Sequence, residues 1–157
     1  MAKLWEGKTT GDALRFGIVV ARFNSTVTDK LLEGALAALA LAHVEAEDIE
    51  IVRVPGAFEM PLAAQRLAET GRVSGLICLG AIVKGGTPHW DYLSAAVTSS
   101  LSDVALATKL PLTNALLTTE TMAQALDRAG KGSDNKGYDA ALAAVEMAEL
   151  YRRLSHG

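Results

Sequence analysis

Four short apolar runs alternate along this chain with stretches of helical periodicity, and that alternation leaves few folds open. Phe16–Ala21 is a continuous apolar run of the kind buried on both faces of a sheet. Residues 48–54 read as a second strand, closed by Pro55 and Gly56; residues 73–83 hold a third and residues 111–117 a fourth. Between them, Leu32, Leu36 and Leu39 recur at helical spacing, with Asn24, Ser25 or Thr26 as the cap. Residues 58–70 form a helix that stops at Gly71, and Leu93, Val97, Leu101, Val104 and Thr108 share one helical face. Thr118, Thr119, Glu120 and Thr121 open a further helix that runs through Ala129. A polar loop at residues 130–137 and a final helix at residues 138–154 complete the pattern. Strands and helices in this order imply a parallel sheet with helices on both faces. Residues 1–14 read as an extended arm on a single domain spanning residues 1–157.

Composition excludes several classes of function. Half of the 157 residues are hydrophobic and 21% are charged, a globular balance. A net charge of −3 argues against nucleic acid as a partner. No apolar run reaches the length of a membrane span, and the first eight residues lack the apolar core of a signal peptide. A single cysteine, Cys78, excludes an intrachain disulfide and fits a reducing cytoplasm. It lies within an apolar run and reads as a buried, inert thiol.

In open parallel sheets ligands bind beyond the carboxyl ends of the strands. That directs attention to Phe23, to residues 56–59, to residues 81–89 and to residues 114–119. Gly85, Gly86 and Thr87 can present backbone N–H groups and a hydroxyl to an anion at the start of a helix; the plainer reading is a turn with Thr87 or Asp91 as cap. His89, beside them, suits acid–base chemistry near neutral pH, although a lone histidine is as often structural. His43 sits at a helix end, and His156 in the tail. Arg128 and Lys136 are either phosphate ligands or solvated cations. Glu59 is either an acceptor for polyol hydroxyls or a carboxylate favoured at a helix start. Phe23 is either a hydrophobic staple or a platform for a flat heterocycle. No cluster of metal-ligand type accompanies His89, so no metal is expected. Ordinary nucleotide signatures and a nucleophile elbow are absent from the sequence.

Several stretches together carry a resemblance: residues 21–24, 54–61, 79–90, 116–119, 124–130 and 135–137. In their order and spacing they closely resemble the lumazine synthase family, over a match from about Arg15 to the end of the last helix. The resemblance implies a flavodoxin-like three-layer α/β/α sandwich with a four-stranded parallel sheet. It implies condensation of 5-amino-6-(D-ribitylamino)uracil with 3,4-dihydroxy-2-butanone 4-phosphate to 6,7-dimethyl-8-ribityllumazine, phosphate and water, with no cofactor and no metal. By the same resemblance Phe23 stacks on the pyrimidine, while Ala57, Phe58, Glu59, Ala81, Ile82 and Val83 hold the ring edge and the ribityl chain. Gly86 and Thr87 take the phosphate, Arg128 reaches it from a facing subunit, Lys136 supports it, and His89 moves protons. Three positions depart from the commonest pattern: Lys84 replaces an arginine, Trp90 a phenylalanine, and Asn114 a phenylalanine that meets the uracil ring across the interface. Family members are homopentamers, some forming 60-subunit icosahedral shells, and the compact loop at residues 130–137 leans towards the shell. A catalytically weak scaffold or a flavin-binding protein on the same fold are the competing readings.

Overall fold

The computed structural model describes residues 1–157. Its centre is an all-parallel sheet of β1 (Phe16–Ala21), β2 (Ile49–Val54), β3 (Gly75–Val83) and β4 (Leu112–Thr119), in the order β2-β1-β3-β4. Five helices complete it: α1 (Ser25–Leu41), α2 (Met60–Glu69), α3 (His89–Thr108), α4 (Met122–Asp127) and α5 (Lys136–His156). Strand residues alternate between two cores, as the pleat requires. Phe16, Ile18 and Val20 join Ile77, Leu79, Ala115 and Leu117 beneath α1, α4 and α5. Val19, Ala21, Leu76, Cys78 and Leu116 face the other way, beneath α2 and α3. The flavodoxin-like three-layer sandwich expected from the sequence is the architecture observed.

Some element ends differ from the sequence reading, each for a local reason. Thr118 and Thr119 do not open a helix. They extend β4, in register with Ile82 and Val83, where β-branched side chains suit a pleated surface. The helix begins later, at Met122, because Thr121 and Gln124 form a reciprocal capping box. Helix α5 begins at Lys136, two residues before the expected start, because Asn135 supplies the cap. Neither Thr87 nor Asp91 caps α3; Pro88 stands at that position with no side-chain bond.

The arm forms no strand within this chain. Gly11 N–H bonds the Ala42 carbonyl at 2.7 Å. Farther out, Lys8 N–H donates to Glu149 on α5 at 2.8 Å, Arg152 donates to the Asp12 carbonyl at 3.1 Å, and Arg153 donates to the Glu6 carbonyl. Lys3 and Arg153 both lie over the Trp5 ring. Glu149 is only 4% exposed, and Arg153 pairs with it. That hydrogen bond, chiefly, holds the Glu149 carboxyl below its ordinary value, against the opposing effect of desolvation.

Candidate active site

The strand order reverses at β1, with β2 on one side and β3 on the other. Crossover connections leave this point in opposite directions and open a crevice at the carboxyl ends. A cavity of about 490 Å³ occupies it, within the usual range for a small-molecule site. Its walls come from the ends of β1, β2 and β3 and from the first turns of α3.

Each wall is built by a specific local device. After β1, Arg22 and Phe23 donate their N–H groups to the Val54 and Pro55 carbonyls, at 2.8 and 3.0 Å, and so continue the strand pairing into the loop. Phe23 is thereby held at the rim with its side chain 71% exposed. That exposure fits the platform reading better than the staple. Asn24 follows in the left-handed region, at φ 63°, which an Asn tolerates better than most side chains. The side chain does not cap α1. Instead its Nδ2 donates to the Ala81 carbonyl at 2.8 Å, tying the β1 loop to β3.

Strand β3 outruns β1, whose pairing ends at Val20 opposite Leu79. Leu76 and Lys84 donate N–H to carbonyls on the β4 side, so even-numbered groups of β3 face β4 and odd-numbered groups face β1. Beyond the end of β1, Ala81 and Val83 have no strand beside them on that side and border the cavity. Across it, Ala57, Phe58 and Glu59 form a single 3-10 turn before α2, placing the Glu59 carboxylate on the lining.

The loop from β3 to α3 closes the rim. Gly85, Thr87, His89 and Trp90 line the cavity, while Gly86 is exposed beside it. A Cβ at Gly85 or Gly86 would meet nothing within 4 Å, and neither residue has a positive φ. Neither the packing nor the conformation of this chain requires glycine there. Bare backbone at such a place leaves room for a close approach from outside. His89 is the first residue of α3, where the helix N-terminus favours an anion. The Trp90 indole N–H donates to the Ile82 carbonyl at 3.2 Å, and Lys84 Nζ lies 5.7 Å from the ring centre.

Asn114, Arg128 and Lys136 are elsewhere. They line an open concavity along β4, and no residue lines both this face and the cavity. Arg128 stands at the end of α4 and donates to the Gln124 carbonyl at 3.0 Å; Lys136 opens α5, 3.8 Å from Asp139. Thr119 and Pro111 accept from β3, so Asn114 and Leu116 have backbone groups that face the open edge. Asn114 Oδ1 accepts from Leu116 N–H at 2.7 Å, on that edge.

No group of three or more His, Cys, Asp or Glu side chains comes together as a metal site. Burial pushes the Cys78 thiol up to about 12, so it is no nucleophile. No helix is long and apolar enough to cross a membrane. Sequence reading missed two parts of the site. Asn24's place at a helix start hides its tie to Ala81, and Leu93, whose spacing marks a helical face, also lines the cavity.

A family model described as 6,7-dimethyl-8-ribityllumazine synthase matches residues 13–152. That span takes in every strand, the cavity rim and both cations of the β4 face. The resemblance seen in separate motifs thus holds for nearly the full length, and the chain belongs to the 6,7-dimethyl-8-ribityllumazine synthase family.

Proposed function

We propose that this protein condenses 5-amino-6-(D-ribitylamino)uracil with 3,4-dihydroxy-2-butanone 4-phosphate, releasing phosphate and water and yielding 6,7-dimethyl-8-ribityllumazine. Family membership implies a role in riboflavin biosynthesis. The observation that carries the specific reaction is the pair of glycines next to His89. They are demanded by nothing within the chain, at the mouth of a cavity with an exposed aromatic face.

In this reading Phe23 stacks on the pyrimidine, Ala81 and Val83 on the overhang of β3 offer backbone groups to its edge, and Ile82 lines the pocket. Ala57, Phe58 and Glu59 hold the ribityl chain, with the carboxylate accepting from a hydroxyl. Gly86 and Thr87 receive the phosphate at the start of α3. His89 moves protons as the aminouracil amine adds to the ketone and a first water departs to give the imine, as the C–O bond to phosphate breaks with loss of a carbon-bound proton, and as the ribitylamino nitrogen closes the ring on the carbonyl so formed with loss of a second water. Orientation of the two substrates supplies much of the rate, and the imidazole adds a proton-transfer contribution.

The cavity lining has Glu59 but no lysine or arginine, so a phosphate dianion there lacks a strong counter-charge. A second copy of the chain supplies it, its β4 face bringing Arg128, Lys136 and Asn114 to the cavity. The whole chain acts as one domain within a homopentamer, which can close into a 60-subunit shell. It works in the cytoplasm, with small-molecule substrates and neither nucleic acid nor membrane as partner. Mixing the protein with both substrates and following lumazine absorbance against the uncatalysed background tests the reaction; no acceleration would refute it. Light scattering tests the assembly, and a monomer with full activity would refute the shared site.

A further inference from the structure

Arg128 and Lys136 come from different helices, yet they are held as one unit. Lys136 N–H donates to the Arg128 carbonyl at 2.8 Å, and Gly130 N–H to the Asp134 carbonyl at 3.2 Å. Ala129 and Asn135 form an isolated antiparallel bridge between them. Ala129 anchors this unit in the core, and the side chain of Asn135, 3% exposed, ties it by hydrogen bonds to α1. Its Oδ1 accepts from Tyr138 N–H at 3.1 Å and caps α5. Its Nδ2 donates to the Lys30 carbonyl of α1 and to the Gly130 carbonyl, each at 2.9 Å. One amide therefore uses both of its donors and an acceptor in three directions, which neither a carboxylate nor a hydroxyl can reproduce. The helices are shaped around it. A Cβ at Gly34 on α1 would overlap the Asn135 amide, and one at Gly137 would overlap the Leu31 carbonyl.

We infer that Asn135 is a positioning residue for the anion-binding pair Arg128 and Lys136: it pins the loop that carries both cations to α1. The inference rests on the proposed reading of the pair as phosphate ligands. Two cations serve one phosphate only if both converge on it, and a displacement near 1 Å is costly. Asn135 itself touches no substrate; it acts by fixing where α4 ends and where α5 begins.

Two substitutions disturb the pin by independent routes. Asn135→Ser keeps an acceptor for Tyr138 N–H but cannot reach the Lys30 and Gly130 carbonyls. Gly34→Ala replaces a glycine in mid-helix by the best helix former, and its methyl group displaces the Asn135 amide. Each is expected to raise KM for the butanone phosphate by about tenfold, while KM for the aminouracil moves by less than about twofold. Calorimetric titration with inorganic phosphate should show affinity weakened by a similar factor. A residue that serves only stability would lower Tm and the fraction of active enzyme, with KM for the phosphate substrate unchanged; that result would overturn the inference. If the wild-type protein makes no lumazine, the proposed reaction fails, and the phosphate titration still decides. Equal phosphate affinity in wild type and variants would reject the positioning role, as would the absence of phosphate binding by the wild type. Should the serine variant fail to fold, Gly34→Ala carries the decision alone.

Discussion

The cavity beside β3 and the face along β4 are built from opposite materials. The cavity has shape: apolar walls, an exposed ring at Phe23, a backbone overhang and a titratable rim at His89. The β4 face has charge: Arg128 and Lys136 over an open edge strand, with no enclosing wall. A reaction that joins a flat heterocycle to a phosphorylated sugar fragment needs both. Each chain carries the two halves without a shared residue, and in the proposed reading they meet only when a second copy is present.

The largest expected effect tests the cavity half. His89→Ala should lower kcat by about a hundredfold, the lower end of what a positioned proton carrier contributes. Turnover should persist, because orientation remains. An unchanged kcat in stopped-flow absorbance would take His89 out of the reaction. Next comes the charged half. Arg128→Ala should raise KM for the phosphate substrate by about thirtyfold, as expected for loss of a charge-assisted hydrogen bond, with KM for the aminouracil little altered. Normal saturation by the phosphate would contradict the assignment.

The two variants together probe the division directly. When His89→Ala and Arg128→Ala chains are unfolded, mixed in equal amounts and reassembled, a site intact in both halves should form in about a quarter of cases around a ring. Measured at low phosphate substrate, the mixture should therefore outperform either parent. No recovery would place both halves within one chain's reach. A smaller effect is expected at Phe23→Ala, which should raise KM for the aminouracil by about tenfold through loss of stacking and apolar contact, leaving inorganic phosphate affinity unmoved.

The smallest effect lies at the far end of α5, remote from both halves. The folded-state value of Glu149 is depressed, first by its hydrogen bond from Arg153. The contribution of this carboxylate is thus fully present above its ordinary value of 4.5 and is lost as pH falls through the lower folded value. Protection of the arm from proteolysis or hydrogen exchange should hold from neutral pH down through 4.5 and fail only in stronger acid. Release of the arm near pH 6 would show that Glu149 does not hold it.

Much of this was legible before any coordinates. The alternation of apolar runs and helical faces determined the sheet, because runs such as Phe16–Ala21 can be satisfied only between two helical layers. The cavity rim could be read from the rule that parallel strands bind at their carboxyl ends. What escaped depends on partners distant in sequence. Nothing near Asn24 announces that its amide will choose Ala81 over the helix it precedes. Nothing in the arm foretells that Lys8 will find Glu149. Thr118 and Thr119 look like helix openers until the register against Ile82 and Val83 is known.

The bond from Leu116 N–H to Asn114 has a consequence for the life of the chain before it meets another copy. Sheet edges with free N–H groups template the addition of foreign strands and lead to aggregation. Here, midway along the exposed border of β4, one of those donors is already occupied by a neighbouring side chain. A newly made subunit thus carries a block against continuous strand-to-strand stacking. In the proposed assembly, copies that meet across this border would be steered to join through side chains, which can be specific, and away from a backbone ladder, which any chain could extend.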